Sequence, residues 1–295
     1  MKTVGIVGIG DMGSGLAKNL IKNGFTVQGI DLKPDRQAAF EAMGGVACET
    51  HHAVGKGADA VFIMVMNGDE AKASIFGDGL ISSMADGSAI ILSATIKTHE
   101  AIEIAAGLEG SGIHLIDTPV SGGFPGAQGG TLTMMASAPD AVLDRFAPVM
   151  QAVSANIHRV GTEPGMGQTV KACLQSLIGA IFTATYEASV LAGKAGVSGE
   201  VLRKVFATSS AGNGITDVSL ENVINREFEK TGSHINTMYK DLTIAMDLAR
   251  AEGVPLFTAS MAMQLFQAGR TRFPDADNQT VTRVIEDIVG AHLKP

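Results

Sequence analysis

Short apolar runs rich in β-branched residues alternate with amphipathic segments through the first half of this chain, and a glycine-rich turn follows its first run directly. Long helical patterns fill the second half. Together these observations predict an α/β Rossmann-type doubly wound parallel sheet followed by an all-α domain. At 295 residues the chain is long enough for two separate cores. The change of texture near Thr162 assigns residues 1–162 to the sheet domain and 163–295 to the helical one.

The strands come first. "TVGIVGI", "FTVQGI", "AVFIMVM", "SAIILSA" and "GIHLIDTPV" are short and apolar, as strands covered on both faces should be. Helical spacing recurs between them, for instance over Gly13 to Asn23 and Thr98 to Leu108. "GTLTMMAS" and "ANIHRVG" add strands at the far edge. Beyond Pro164 the pattern from Gly165 to Gly193 reads as one helix, with Val170, Leu174, Leu177, Ile178 and Ile181 forming an apolar stripe.

Composition narrows the function. With 45% hydrophobic and 18% charged residues the chain has the make-up of a soluble globular protein. A formal net charge of -8 provides no electrostatic footprint for nucleic acid or an anionic membrane, so neither is expected as a partner. Apolar stretches such as "ADAVFIMVM" are too short to cross a bilayer. The first apolar run begins at Thr3 without a basic leader, and a cytoplasmic setting is expected. Cys48 and Cys173 have no metal or redox spacing, the seven histidines form no H-x-x-x-H or H-x-H pair, and no metal is expected.

"GIGDMG" places Gly8, Gly10 and Gly13 in a G-x-G-x-x-G arrangement between a strand and a helix. One glycine permits the tight turn, one lets backbone approach a pyrophosphate, and one packs helix against strand. The helix N-terminus then offers N–H groups and a partial positive charge to phosphates. Gly8, Gly10, Asp11, Met12 and Gly13 are therefore candidate cofactor contacts, in a dinucleotide site rather than a purely structural turn. Asp31 ends the second strand, where an acid binds the adenosine ribose hydroxyls and repels a 2′-phosphate. NAD is the expected cofactor, with NADP possible because Lys33 and Arg36 lie nearby.

A second glycine-rich loop, "DTPVSGGFPGAQGGTL", leaves the end of another strand. Ser121, Gly122 and Gly123 offer a hydroxyl and two backbone donors, which suits a carboxylate; the alternative is a connection needing glycine only for its turns. In "GMGQTVKACLQ", Lys171 and Gln175 lie four apart on one helix face and can converge on one target. A buried ammonium is costly, so an inward-facing lysine suggests function; a surface lysine is the alternative.

The pieces "VGIVGIGDMGSGLAKNLIKNGF", "DTPVSGGFPGAQGGTLTMM", "GMGQTVKACLQ" and "YKDLTIAMDLA" span nearly the whole chain and resemble the β-hydroxyacid dehydrogenase family. The resemblance implies a Rossmann-type domain, a helical substrate and oligomerisation domain, and a small hydroxy acid as substrate. It implies Lys171 as general acid and base at the substrate hydroxyl, with Ser121, Gly122 and Gly123 holding the substrate carboxylate. It also places Met66, Asn67, Thr95 and Lys240 near the cofactor, although Thr95 could equally cap a loop and Lys240 be an exposed helix charge. Homodimers or homotetramers are implied as well.

Many family members carry asparagine three and four residues after the lysine, where this chain has Leu174 and Gln175. That glutamine, with "SAGNG" at Ser210 to Gly214, is similar to the L-threonate branch. Asn213 is a further candidate substrate contact; otherwise it serves a glycine-flanked turn. The competing readings are a hydroxy amino acid dehydrogenase of the D-threonine type, an imine reductase, a cofactor-sensing protein without catalysis, and a methyltransferase. Imine-reducing relatives generally lack the lysine, and the helical second half and Ser121 to Gly123 disfavour a methyltransferase.

Overall fold

A computed structural model describes residues 1–295, which divide into two compact units, Met1–Lys171 and Ala172–Pro295. The first unit runs β1 (Thr3–Val7), α1 (Asp11–Lys22), β2 (Thr26–Ile30), α2 (Pro34–Ala42), β3 (Val46–Ala47), α3 (His51–Gly55) and β4 (Ala60–Ile63). It continues with α4 (Gly68–Phe76), α5 (Leu80–Ser83), β5 (Ala89–Leu92), α6 (Thr98–Gly107), β6 (His114–Asp117) and β7 (Val120–Ser121). Then come α7 (Gly123–Gly129), β8 (Leu132–Ser137), α8 (Asp140–Gln151) and β9 (Ser154–Gly161).

The strands join one sheet in the order β3-β2-β1-β4-β5-β6-β8-β7, with β9 paired to β8. From β3 to β6 every pairing is parallel, and the first six strands have the order of a dinucleotide-binding fold. Alternation of side chains along the strands builds both cores. Ala60, Phe62 and Ile91 face one core with Leu16 and Phe146, while Val61, Ile63 and Ile90 face the other with Ile75 and Ile104. All four residues of β4 and of β5 are buried, which is why they read as unbroken apolar runs.

The far edge departs from a wholly parallel sheet. β8 runs antiparallel to β6 and to β7, and β9 returns parallel to β8. The segment expected as one strand, "GIHLIDTPV", is two short strands interrupted after Asp117. Pro119 has no N–H to give a ladder there, and the Asp117 side chain is engaged elsewhere, as described below.

The long helix α9 (Met166–Lys194) has 29 residues and contains the division between the units. The second unit continues with α10 (Gly199–Thr208), α11 (Gly214–Asn225), α12 (Ile235–Ala251), α13 (Phe257–Arg272) and α14 (Val281–Val289), without a strand. Its core gathers Tyr186, Leu220, Val223, Leu242, Phe266 and Val281. By length and composition alone α9 meets the measure of a membrane-crossing helix, as the core helix of a globular unit also can. Its Tyr186 and Val190 are buried in protein.

Candidate active site

Because β1, β2, β4, β5 and β6 are parallel, their C-terminal ends share one edge of the sheet. The predicted residues of the first unit follow these ends in turn. Gly8 to Gly13 follow β1, Asp31 follows β2, Met66 and Asn67 lie beyond β4, Thr95 beyond β5, and Ser121 to Gly123 beyond β6. Ligand sites of open parallel sheets form along this edge.

Two glycines of the turn leave no room for a side chain. A Cβ on Gly13 would stand 1.9 Å from the Gly8 carbonyl oxygen, and one on Gly8 would stand 2.4 Å from that of Met64. Gly10 is the N-cap of α1 and brings no side chain to it, so Asp11, Met12 and Gly13 present the open first turn of a helix. A pyrophosphate fits such an end, where backbone N–H groups and the helix dipole both favour an anion. Asp31 accepts hydrogen bonds from the Ile9 N–H at 2.8 Å and the Lys33 N–H at 2.9 Å, and meets the Arg36 guanidinium at 3.4 Å. These bonds fix its carboxylate beside the turn.

Ser121 pairs across the sheet with Thr133, and Gly122 and Gly123 follow with φ of 127° and 57° at the start of α7. This loop packs directly on α1. A Cβ on Gly15 would stand 2.5 Å from the Ala127 carbonyl carbon, and Asn19 Nδ2 donates to the carbonyls of Gly15, Ala127 and Gln128 at 2.8, 2.9 and 3.2 Å. The two glycine-rich loops are therefore one packed block. Gly15 and Asn19 escaped the sequence reading, although a further glycine two residues past the motif was a visible signal.

Lys171 lies in the second turn of α9 and is buried, with 6% of its surface exposed. The start of that helix is held by Asp117 at the end of β6. Asp117 Oδ2 accepts from the N–H groups of Gly165, Gly167 and Gln168 at 2.9, 3.0 and 3.3 Å, and Oδ1 accepts from Gln168 Nε2 at 2.9 Å. The carboxylate is thus an N-cap supplied from a distant strand. Burial pushes its pKa up to about 6 from 3.8, against the pull of those four donors.

Residues 3–161 match the family described as the NAD binding domain of 6-phosphogluconate dehydrogenase. Residues 165–285 match that described as NAD-binding of NADP-dependent 3-hydroxyisobutyrate dehydrogenase. L-Threonate dehydrogenase of Escherichia coli K12 is 33% identical over 288 residues, covering 97% of this chain and 95% of its own. 2-(Hydroxymethyl)glutarate dehydrogenase of Eubacterium barkeri is 31% identical over 292 residues, covering 98% of this chain and 97% of its own. The crystal structure of 3-hydroxyisobutyrate dehydrogenase from Salmonella typhimurium superimposes with a TM-score of 0.88 at 32% identity, covering 96% of this chain and 100% of that one.

The chain belongs to the β-hydroxyacid dehydrogenase family. As such it is an NAD(P)-dependent oxidoreductase.

In this β-hydroxyacid dehydrogenase the helical unit carries the remaining predicted residues. Gln175, 7% exposed and one helical turn after Lys171, donates its side-chain amide to Asp241 Oδ2. Asp241 is itself buried, and its Oδ1 lies 3.0 Å from Lys240 Nζ. Asp241 was not singled out from sequence; its place in "YKDL", beside a lysine that was, could have raised it.

Asn213 caps α11. Its oxygen accepts from the N–H groups of Ile215 and Thr216, and its amide donates to the Ala211 carbonyl and Thr216 Oγ1. The glycine-flanked turn thus accounts for the hydrogen bonds of its side chain. Asn67 similarly caps α4, accepting from the Glu70 N–H at 2.8 Å, while the Met66 N–H donates to the Glu70 carboxylate at 3.0 Å. This local bonding orders the loop beyond β4.

Proposed function

We propose that the chain oxidises a short hydroxy acid carrying at least one further hydroxyl, of the L-threonate class, with NAD⁺ and with Lys171 as the proton acceptor. The burial of Lys171 on a helix start tied to the ligand edge of the sheet is the observation that carries this reading. Bound nicotinamide supplies a hydride acceptor. Gly8, Gly10, Asp11, Met12 and Gly13 hold the pyrophosphate, Asp31 the ribose, and Met66, Asn67, Thr95 and Lys240 the surroundings of the nicotinamide. Ser121, Gly122 and Gly123 hold the substrate carboxylate. Lys171 Nζ takes the hydroxyl proton during oxidation and returns it during reduction.

Gln175 supports the substrate class. A carboxylate only accepts hydrogen bonds, so the NH₂ end of the Gln175 amide is the end turned to Asp241. Its carbonyl oxygen is then the group it offers a ligand, and an acceptor suits a substrate hydroxyl better than a carboxylate. We also include assembly into dimers or tetramers in this reading, through the helical unit, where Leu177, Leu191, Val201 and Val205 are exposed.

Assay of L-threonate, 3-hydroxyisobutyrate, glycerate and D-threonine tests the substrate. L-Threonate should show the highest kcat/KM, and Gln175→Leu should lower it by about 10- to 100-fold while changing 3-hydroxyisobutyrate turnover far less. A lead for D-threonine or 3-hydroxyisobutyrate would overturn the substrate class.

Cofactor choice is tested separately. A carboxylate beside the ribose repels a 2′-phosphate, so kcat/KM for NAD⁺ should exceed that for NADP⁺ by about tenfold or more, ~1.4 kcal/mol. Asp31→Ser should narrow this ratio, since Arg36 and Lys33 then face the phosphate without the acid between them. An unchanged ratio in Asp31→Ser would show that Asp31 does not set it.

A further inference from the structure

Gln168 is 1% exposed and its side-chain amide is bonded in three directions. Nε2 donates to Asp117 Oδ1 at 2.9 Å and to the Ala94 carbonyl at 3.1 Å, while Oε1 accepts from the Ile96 N–H at 3.0 Å. Ala94 and Ile96 flank Thr95, in the loop beyond β5 assigned above to the nicotinamide side. Gln168 itself lies three residues before Lys171, so one helical turn joins the amide to the amine. A second tie runs parallel to the first, with Thr98 Oγ1 3.2 Å from Thr169 Oγ1.

We propose that Gln168, its amide oriented by Asp117, is a positioning residue that fixes the turn bearing Lys171 against the loop holding Thr95. The inference rests on the role given to Lys171 above. Hydride transfer and proton transfer need their acceptors at one fixed spacing from the same carbinol carbon and oxygen. A displacement of about 1 Å at such a centre can lower a rate about 100-fold. A helix start held only by its own backbone would leave that spacing to the soft motion of a loop. The bonds to Ala94 and Ile96 remove this freedom, because they grip the loop on both sides of Thr95.

The amide has one orientation compatible with its neighbours. Asp117 and the Ala94 carbonyl both require donors, and the Ile96 N–H requires an acceptor. A flipped amide would break all three bonds. Asp117 therefore does more than cap α9: it selects which way Gln168 points. Gly167 permits the close approach, since a Cβ there would stand 2.6 Å from the Asp117 and Met135 carbonyl oxygens.

The test compares Gln168→Leu, which keeps the volume and loses the bonds, with Asp117→Asn, which keeps the shape and puts an NH₂ donor beside the Gln168 donor or the backbone N–H groups. Rates are normalised to sites counted by NADH fluorescence titration, so that unfolded molecules do not contribute. Both variants should lose about 10- to 100-fold in kcat, with the Kd for NADH within about threefold of wild type. The deuterium isotope effect on kcat, measured with substrate labelled at the carbinol carbon, should rise as hydride transfer becomes limiting. A purely structural role would lower the melting temperature and the number of sites while leaving the rate per site and the isotope effect unchanged, and that result overturns the proposal. Lys171→Ala measured alongside separates the two levels. If it turns over normally, the role of the lysine fails and this inference with it. If it is inactive while the other two variants keep full rate per site, only the positioning role fails.

Discussion

Lys171→Ala should lose turnover by about 10²- to 10⁴-fold, the usual contribution of a positioned acid or base, while NAD⁺ binds as it does to the wild type. The separation of effects follows from the placement of the parts. The glycine turn, Asp31 and their supports belong to β1, β2 and α1, whereas the amine belongs to α9. Lysine has an ordinary pKa of roughly 10.4, so oxidation needs the neutral form of the amine. Alcohol oxidation should therefore rise toward alkaline pH, as the fraction of molecules with a neutral acceptor grows. Reduction of the keto acid, which needs the ammonium as donor, should work well near neutrality. Lys171→Arg distinguishes a proton carrier from a simple positive charge. Guanidinium stays protonated throughout the accessible range, so the variant should bind substrate and remain inactive. More than a few per cent of wild-type turnover in Lys171→Ala would remove the lysine from the reaction. A flat profile from about pH 6 to 10, with hydride transfer limiting, would remove its titration from the mechanism.

Local chemistry makes some parts of this molecule legible from its sequence alone. The glycine turn depends on spacing within a few residues, and its strand and helix lie immediately beside it, so the sequence carries the whole motif. The alternation of strands and helices, and its end near the start of α9, is similarly local.

The ends of buried strands were less visible. "AVFIMVM" is apolar throughout, yet β4 stops at Ile63; Met64 still donates to the Val7 carbonyl, and the chain then enters the loop containing Met66 and Asn67. An apolar run that is buried on both faces has no period to mark its end. β3, with two residues, has too little pattern to register at all.

Long-range polar contacts were not legible either. Asp117 and Gln168 are separated by 51 positions, and each alone looks like an ordinary strand-end or helix-surface residue. Only the fold shows that both are buried and bonded to one another. The same applies to Gln175 and Asp241, 66 positions apart. Lys171 and Gln175 drew notice because they share a helix face; the residues that support them come from elsewhere in the chain.

Gly13→Ala should produce the opposite phenotype to Lys171→Ala, losing cofactor binding before chemistry can begin. The added methyl would stand 1.9 Å from the Gly8 carbonyl oxygen, well inside any contact that two such atoms can sustain. The backbone must separate there, and the segment that moves is the helix start proposed above to receive the phosphates. NAD⁺ affinity should fall by about 100-fold or more, and stability by roughly 1–3 kcal/mol, the cost of forcing extra volume into a packed site. Gly24→Ala provides the comparison, because Gly24 follows α1 at a φ of 86° with no atom within 4 Å of the new methyl. That substitution forces a side chain into the left-handed region, so it should cost about 1–2 kcal/mol of stability and leave the Kd for NAD⁺ unchanged. The pair separates damage to the turn from general destabilisation, with Kd read by NADH fluorescence and stability by thermal melting. If both variants bound the cofactor as well as the wild type, the close approach of Gly8 and Gly13 would not be what forms the binding site.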